Sequence, residues 1–116
     1  GSGDCTTVAG VQGEGPGAQQ LRSPLGVILA PDGDIIVADT GNSRIQRCPA
    51  AGSGDCTPVA QHLYGPYGVA LAPDGDLIVT ELSYNRVRRC PATGSRDCSS
   101  VGTTVAGGRG AGSGAQ

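Results

Sequence analysis

Gly26-Val27-Ile28-Leu29-Ala30-Pro31-Asp32-Gly33-Asp34-Ile35-Ile36-Val37-Ala38-Asp39-Thr40-Gly41-Asn42-Ser43-Arg44-Ile45-Gln46 decides the fold. Gly26–Ala30 is an apolar run of strand length, read as a buried inner strand. Pro31-Asp32-Gly33-Asp34 is a turn: proline presets φ, aspartate caps, and glycine accepts a positive φ. Ile35–Ala38 is β-branched and apolar, the second strand. Asp39–Ser43 is a second turn, and Arg44–Cys48 alternates polar and apolar as a half-exposed third strand does. Pro49–Asp55 reads as a loop and Cys56–Ala60 as a weak fourth strand.

The same text returns 42 residues later. Leu29-Ala30-Pro31-Asp32-Gly33-Asp34 recurs as Leu71-Ala72-Pro73-Asp74-Gly75-Asp76, and Arg44, Arg47, Cys48 and Pro49 as Arg86, Arg89, Cys90 and Pro91. The second set of strands is then Gly68–Ala72, Leu77–Glu81, Arg86–Cys90 and a fourth from Cys98 onward. The N-terminus joins the series at a different step: Gly1–Cys5 matches Gly52–Cys56, 51 residues on, with the nine extra residues placed at Gly10–Ala18. The C-terminal Val105–Gln116 follows the pattern of Val8–Gln19. A fixed period of this size marks a stacked or radial repeat, and four short antiparallel strands per period describe an all-β propeller blade.

Residues 26–46, and more loosely 68–88, resemble the NHL repeat. The second copy departs from it with Glu81 in place of Asp39 and with Ser83-Tyr84-Asn85 in the turn. The resemblance implies propeller blades, usually about six to a ring. It implies no single function, because the family includes lyases, lactonase-like enzymes and protein- or RNA-binding modules. Its lyases hold a metal with several histidines, and this chain has only His62.

The expected organisation follows. Residues 1–19 are an outer strand of a preceding blade and a Gly-rich loop, 20–61 the first blade, 62–103 the second, and 104–116 a Gly-rich tail leading to a next blade. Two blades form an incomplete ring. Each leaves an apolar face that needs a neighbour, supplied by other copies or by further repeats of a longer chain.

Composition sets the outer limits. Glycine and proline together supply 29 of the 116 residues, a share that on its own suggests disorder. Their recurrence at one step assigns most of them to hairpins. Net charge is −2 and every basic residue is arginine, which argues against nucleic acid as a partner. No apolar stretch reaches the length of a membrane span and no signal peptide is visible, so the sequence reads as a mature form or a fragment without membrane insertion.

Five cysteines point to an oxidising, extracellular setting. Cys48 ends a third strand and Cys56 begins a fourth. Cys90 and Cys98 repeat that spacing, so the expected bonds are Cys48–Cys56 and Cys90–Cys98. Cys5 corresponds to a second member whose partner would lie in a preceding blade, so it is expected to be free, or bonded to another chain or to an upstream segment. Zinc is the weaker reading, for there is no Cys-x-x-Cys and one histidine.

The remaining polar residues read as structural. Asp32 and Asp74 belong to turns and lack the calcium-loop pattern. Asp39 with Arg44, and Glu81 with Arg86, flank one turn in each repeat as an ion pair. Arg86, Arg88 and Arg89 read as a solvated edge or an acidic-partner contact, Tyr64 and Tyr67 as packing between blades ahead of a small binding surface, and Gly10–Gly17 and Gly107–Gly114 as flexible surface loops. No catalytic, cofactor-binding or metal-binding residue emerges. The expected function is an extracellular structural or assembly module. The alternatives are a protein- or ligand-binding propeller module and, more remotely, a propeller enzyme.

Overall fold

The computed structural model describes residues 3, 5–52, 54–91 and, as backbone, 103–106. Two four-stranded antiparallel sheets follow one another along the chain. The first holds β1 (Pro24–Leu29), β2 (Ile35–Asp39), β3 (Arg44–Cys48) and β4 (Thr57–Ala60), in that spatial order. The second holds β5 (Pro66–Leu71), β6 (Leu77–Glu81), β7 (Arg86–Cys90) and β8 (Thr103–Ala106). Both are meanders of blade type, and the two do not close a ring.

The local chemistry repeats with the sequence. Each Pro-Asp-Gly-Asp turn closes on a backbone bond, from Gly33 N–H to the Ala30 carbonyl and from Gly75 N–H to the Ala72 carbonyl, both 2.9 Å. Gly33 and Gly75 both have φ of 94°, where a side chain is strained. Between second and third strands the chain makes a 3-10 turn, Thr40–Asn42 and Leu82–Tyr84, ended by Ser43 and Asn85 in the left-handed region. The inner hairpins share one irregularity, a shift between Pro24 and Val27 and between Pro66 and Val69.

The sheets pack through unlike faces. Sheet 1 presents Ile28, Ile36, Ala38, Ile45 and Ala60, which we term its B face. Sheet 2 meets it with Val69, Leu71, Leu77, Val79 and Cys90. One repeat earlier these positions are Val27, Leu29, Ile35, Val37 and Cys48, on the opposite face of sheet 1, the A face. The interface is therefore B against A, a head-to-tail contact between two copies of one unit. Gly26 makes the closest approach: a Cβ there would collide with the Tyr67 carbonyl oxygen, so β1 and β5 lie nearly backbone to backbone. Thr40 Oγ1 donates to the Pro66 carbonyl at 2.5 Å across the same seam.

Three expectations are corrected. The inner strand β1 is not buried: Leu25, Val27 and Leu29 are 55%, 63% and 69% exposed, because the A face of sheet 1 has no blade against it. The second blade does not stop at residue 103. β8 runs across that boundary and pairs Val87 with Ala106, 46 residues after Ala60, which faces Ile45. The 42-residue step fails there because four additional residues separate Cys98 from the strand. The segment Gly10–Gly17 is not a flexible loop. It folds back on 19–21 through Gln12 N–H to the Gln19 carbonyl (3.0 Å) and Gly15 N–H to the Leu21 carbonyl (3.2 Å). The tail at 107–116 lies outside the described residues.

Candidate functional site

The side chains of each blade organise around one buried carboxylate at the end of its second strand. Asp39 is fully buried and satisfied on all sides. Its Oδ1 accepts from the Arg22 backbone N–H (2.7 Å), and its Oδ2 from Asn42 Nδ2 (2.9 Å) and Arg44 Nε (2.7 Å). Arg44 also donates from its terminal nitrogens to the carbonyls of Pro16 (3.0 Å), Gly17 (3.2 Å) and Gln20 (3.2 Å). This is what orders the Gly-rich loop: one guanidinium collects carbonyls that have no strand partner. In the second blade Glu81 takes the place of Asp39. It accepts from the Tyr64 backbone N–H (2.7 Å) and from Arg86 Nε (2.5 Å), and Arg88 approaches it at 3.9 Å.

A second cluster was not legible in the sequence. Arg47 on β3 reaches back over the sheet to the turn, donating from Nε to Asp34 (2.9 Å) and from NH2 to Asp32 (3.0 Å). Arg89 does the same to Asp76 (2.8 Å) and Asp74 (3.0 Å). The signal was the 42-residue recurrence of each arginine together with each Asp-Gly-Asp. The Asp34 backbone N–H holds the Asp32 carboxyl below the usual carboxylate range, aided by Arg47 against a partial desolvation. Asp74 is lowered in the same way by the Asp76 N–H, then Arg89.

One reading of exposed residues changes. Arg86, Arg88 and Arg89 are not a solvated edge: Arg88 is buried, and the other two are held by Glu81 and by the turn. Tyr64 and Tyr67 are about half exposed. Tyr64 lies against Tyr84 with ring centroids 4.7 Å apart, and the Arg86 guanidinium sits 4.9 Å from the centre of the Tyr84 ring.

The described sulfurs fall into two states, bonded and free. Cys48 and Cys56 are bonded, joining the ends of β3 and β4 with Cα atoms 4.2 Å apart. Cys90 is disulfide-bonded, and Cys98 lies outside the described residues. Cys5 is a free, exposed thiol. Among the described residues no group of three or more His, Cys, Asp or Glu side chains converges as a metal site, and no helix is long and apolar enough to cross a membrane.

The A face of sheet 1 is buried at Val37, Gln46 and Cys48 but bare along β1. Leu25, Val27 and Leu29 line it beside an open groove of about 310 Å³, closed on its far side by Thr7, Val8 and Ala9. The corresponding Val69 and Leu71 of sheet 2 are covered by sheet 1. Buried in sheet 1, the Gln46 amide has no hydrogen-bond partner on either polar atom.

Residues 21–48 match the NHL repeat family model. That stretch is β1, β2 and β3 with the loop end leading into them. Those residues are thus similar to an NHL repeat, and they lie in an all-β chain whose first sheet carries a disulfide. No curated protein matches the chain.

Proposed function

We propose that this chain is an extracellular assembly module, whose NHL blades stack head to tail on blades of further copies or of a longer chain. One observation carries the reading. Val27 and Leu29 are 63% and 69% exposed, while Val69 and Leu71, one repeat on, are packed against a neighbouring sheet. The inner-strand part of this surface is covered in one blade and bare in the other, and the covering unit is itself a copy. Contiguous apolar surface of this kind marks an interaction site. The stapled first blade and the scarcity of reactive side chains support a structural role over a catalytic one. The disulfides favour an extracellular setting.

The test uses the free B face of sheet 2. Gly68 there corresponds to Gly26, and its Cβ position meets only Thr80, at 3.4 Å. Gly68→Val therefore fits the isolated chain but blocks a docking blade. Size-exclusion with light scattering in non-reducing buffer is expected to show oligomers for the natural chain and monomers for Gly68→Val. A stable monomer in both cases overturns the proposal.

A second reading, a binding module for another protein or ligand, rests on Tyr64, Leu82 and Tyr84. All three are exposed together at the 3-10 turn of the second blade. Loss of a pulled-down partner on Tyr84→Ala, with association unchanged, would favour it.

A further inference from the structure

Thr6-Thr7-Val8-Ala9-Gly10 and Thr103-Thr104-Val105-Ala106-Gly107 are the same five residues. The later copy supplies β8, the fourth strand of sheet 2, with Arg89 opposite Thr103, Arg88 opposite Thr104 and Val87 opposite Ala106. Among the described residues the earlier copy is paired with no strand, and it runs largely exposed beside the A face of sheet 1. One chain thus carries two versions of a strand and uses one.

The two versions differ in where their cysteine stands. In sheet 1 Arg47 faces Thr57, and the adjacent residues Cys48 and Cys56 are bonded. In sheet 2 Arg89 faces Thr103, and the residue adjacent to Arg89 is Cys90. The residue before Thr103 is Gly102, and Cys98 stands four positions further back. In the N-terminal version Cys5 directly precedes Thr6, as Cys56 precedes Thr57. Laid on β7 in the register of β8, Thr6–Ala9 brings Cys5 opposite Cys90. Its own β7 is out of reach, because sheet 2 packs on the B face of sheet 1 and Thr7–Ala9 flank the A face.

We propose that Thr6–Ala9 of one copy takes the fourth-strand place on β7 of a second copy, joining the chains by strand exchange and bonding Cys5 to the partner's Cys90. The inference rests on the self-association reading and specifies its joint. The occupant of the A face is then the sheet 2 of that second copy, since Thr7–Ala9 lie beside that face. Backbone pairing supplies affinity, as in other strand additions, and the displaced β8 is replaced by the same residues. The covalent step is a thiol–disulfide exchange. The Cys5 thiolate attacks the bonded Cys90 sulfur, the new bond forms as the old one breaks, and the former partner sulfur of Cys90 leaves as a thiolate. No oxidant is consumed.

Isotope-labelled and unlabelled full-length chains, mixed in a glutathione redox buffer, provide the test. Linked peptides are read by mass spectrometry and association by light scattering. The expected result is a Cys5–Cys90 peptide joining a heavy to a light chain. The Cys98→Ala variant should increase it severalfold, and added Cys5→Ala should abolish it. Association without any Cys5–Cys90 peptide overturns strand exchange and leaves self-association standing. Monomers throughout overturn both. Should Cys98→Ala fail to fold, the unsubstituted mixture decides alone, and Cys5 found only as free thiol or glutathione adduct refutes the proposal.

Discussion

Asp39 Oδ2 lies 2.7 Å from Arg44 Nε, with the aspartate side chain fully buried and the arginine nearly so. The pair closes the turn between β2 and β3 and clamps the Gly-rich loop, so its loss should be felt in both. Removing one member of a buried pair strands the other. Asp39→Ala should cost about 3–5 kcal/mol in urea unfolding. Arg44→Lys should keep the charge but lose the fork that gathers three carbonyls, and so free residues 13–20 to faster amide exchange. Unchanged exchange in that segment would refute the clamp.

Cys48–Cys56 closes a short loop, a sequence separation of 8. The Cys48→Ala/Cys56→Ala chain should lose about 2–3 kcal/mol, read as a lower denaturant midpoint. The loss should show first as exposure of β4, whose only paired neighbour is β3.

Acid should weaken the Asp-Gly-Asp turns. The folded pKa values of Asp32 and Asp74 are depressed, first by the Asp34 and Asp76 backbone N–H groups and then by Arg47 and Arg89. Stabilisation by a depressed carboxylate is present above its unfolded pKa, about 3.9, and is lost as pH falls through the lower folded value. Melting temperature should therefore be insensitive to these groups near neutrality and fall below about pH 4. Asp32→Asn/Asp74→Asn should flatten that acid limb. An acid limb identical to that of the natural chain would count against the assignment.

Gln46 is wholly buried with both amide atoms unpaired among the described residues. Leaving such a group unsatisfied costs about 1–3 kcal/mol, so Gln46→Met should be neutral or stabilising by up to that amount in thermal unfolding. A marked loss of stability would mean that the amide has a partner in solution.

Val27→Thr/Leu29→Thr should leave the fold within about 0.5 kcal/mol, since both side chains are mostly exposed. The same pair should weaken association at least tenfold by light scattering if the A face receives a blade. Equal association would place the contact elsewhere.

The repeat made the sheets legible, because hairpin order is written in local turns and strand periodicity. β3 and β7 run over the residues that their alternation marks. Other features lay beyond local reading. Arg47 meets Asp32 and Asp34 through sheet register, not sequence spacing. The exposure of Leu29 depends on whether a neighbouring blade exists, while its composition is that of a core residue. Glycine content argued for flexibility at 10–17, yet order there comes from a distant guanidinium. The fourth strand of the second blade was placed only as lying from Cys98 onward, because period-matching assumes equal spacing, and four residues intervene before it starts at Thr103.

The packing of a B face on an A face gives this small protein a direction. Its two ends are chemically unlike: one shows leucine and valine beside a bare strand, the other a glycine and a complete edge. A copy crippled at one end but sound at the other should act as a chain terminator. Added in small proportion, Gly68→Val would cap stacks at one end and so set their length by its mole fraction.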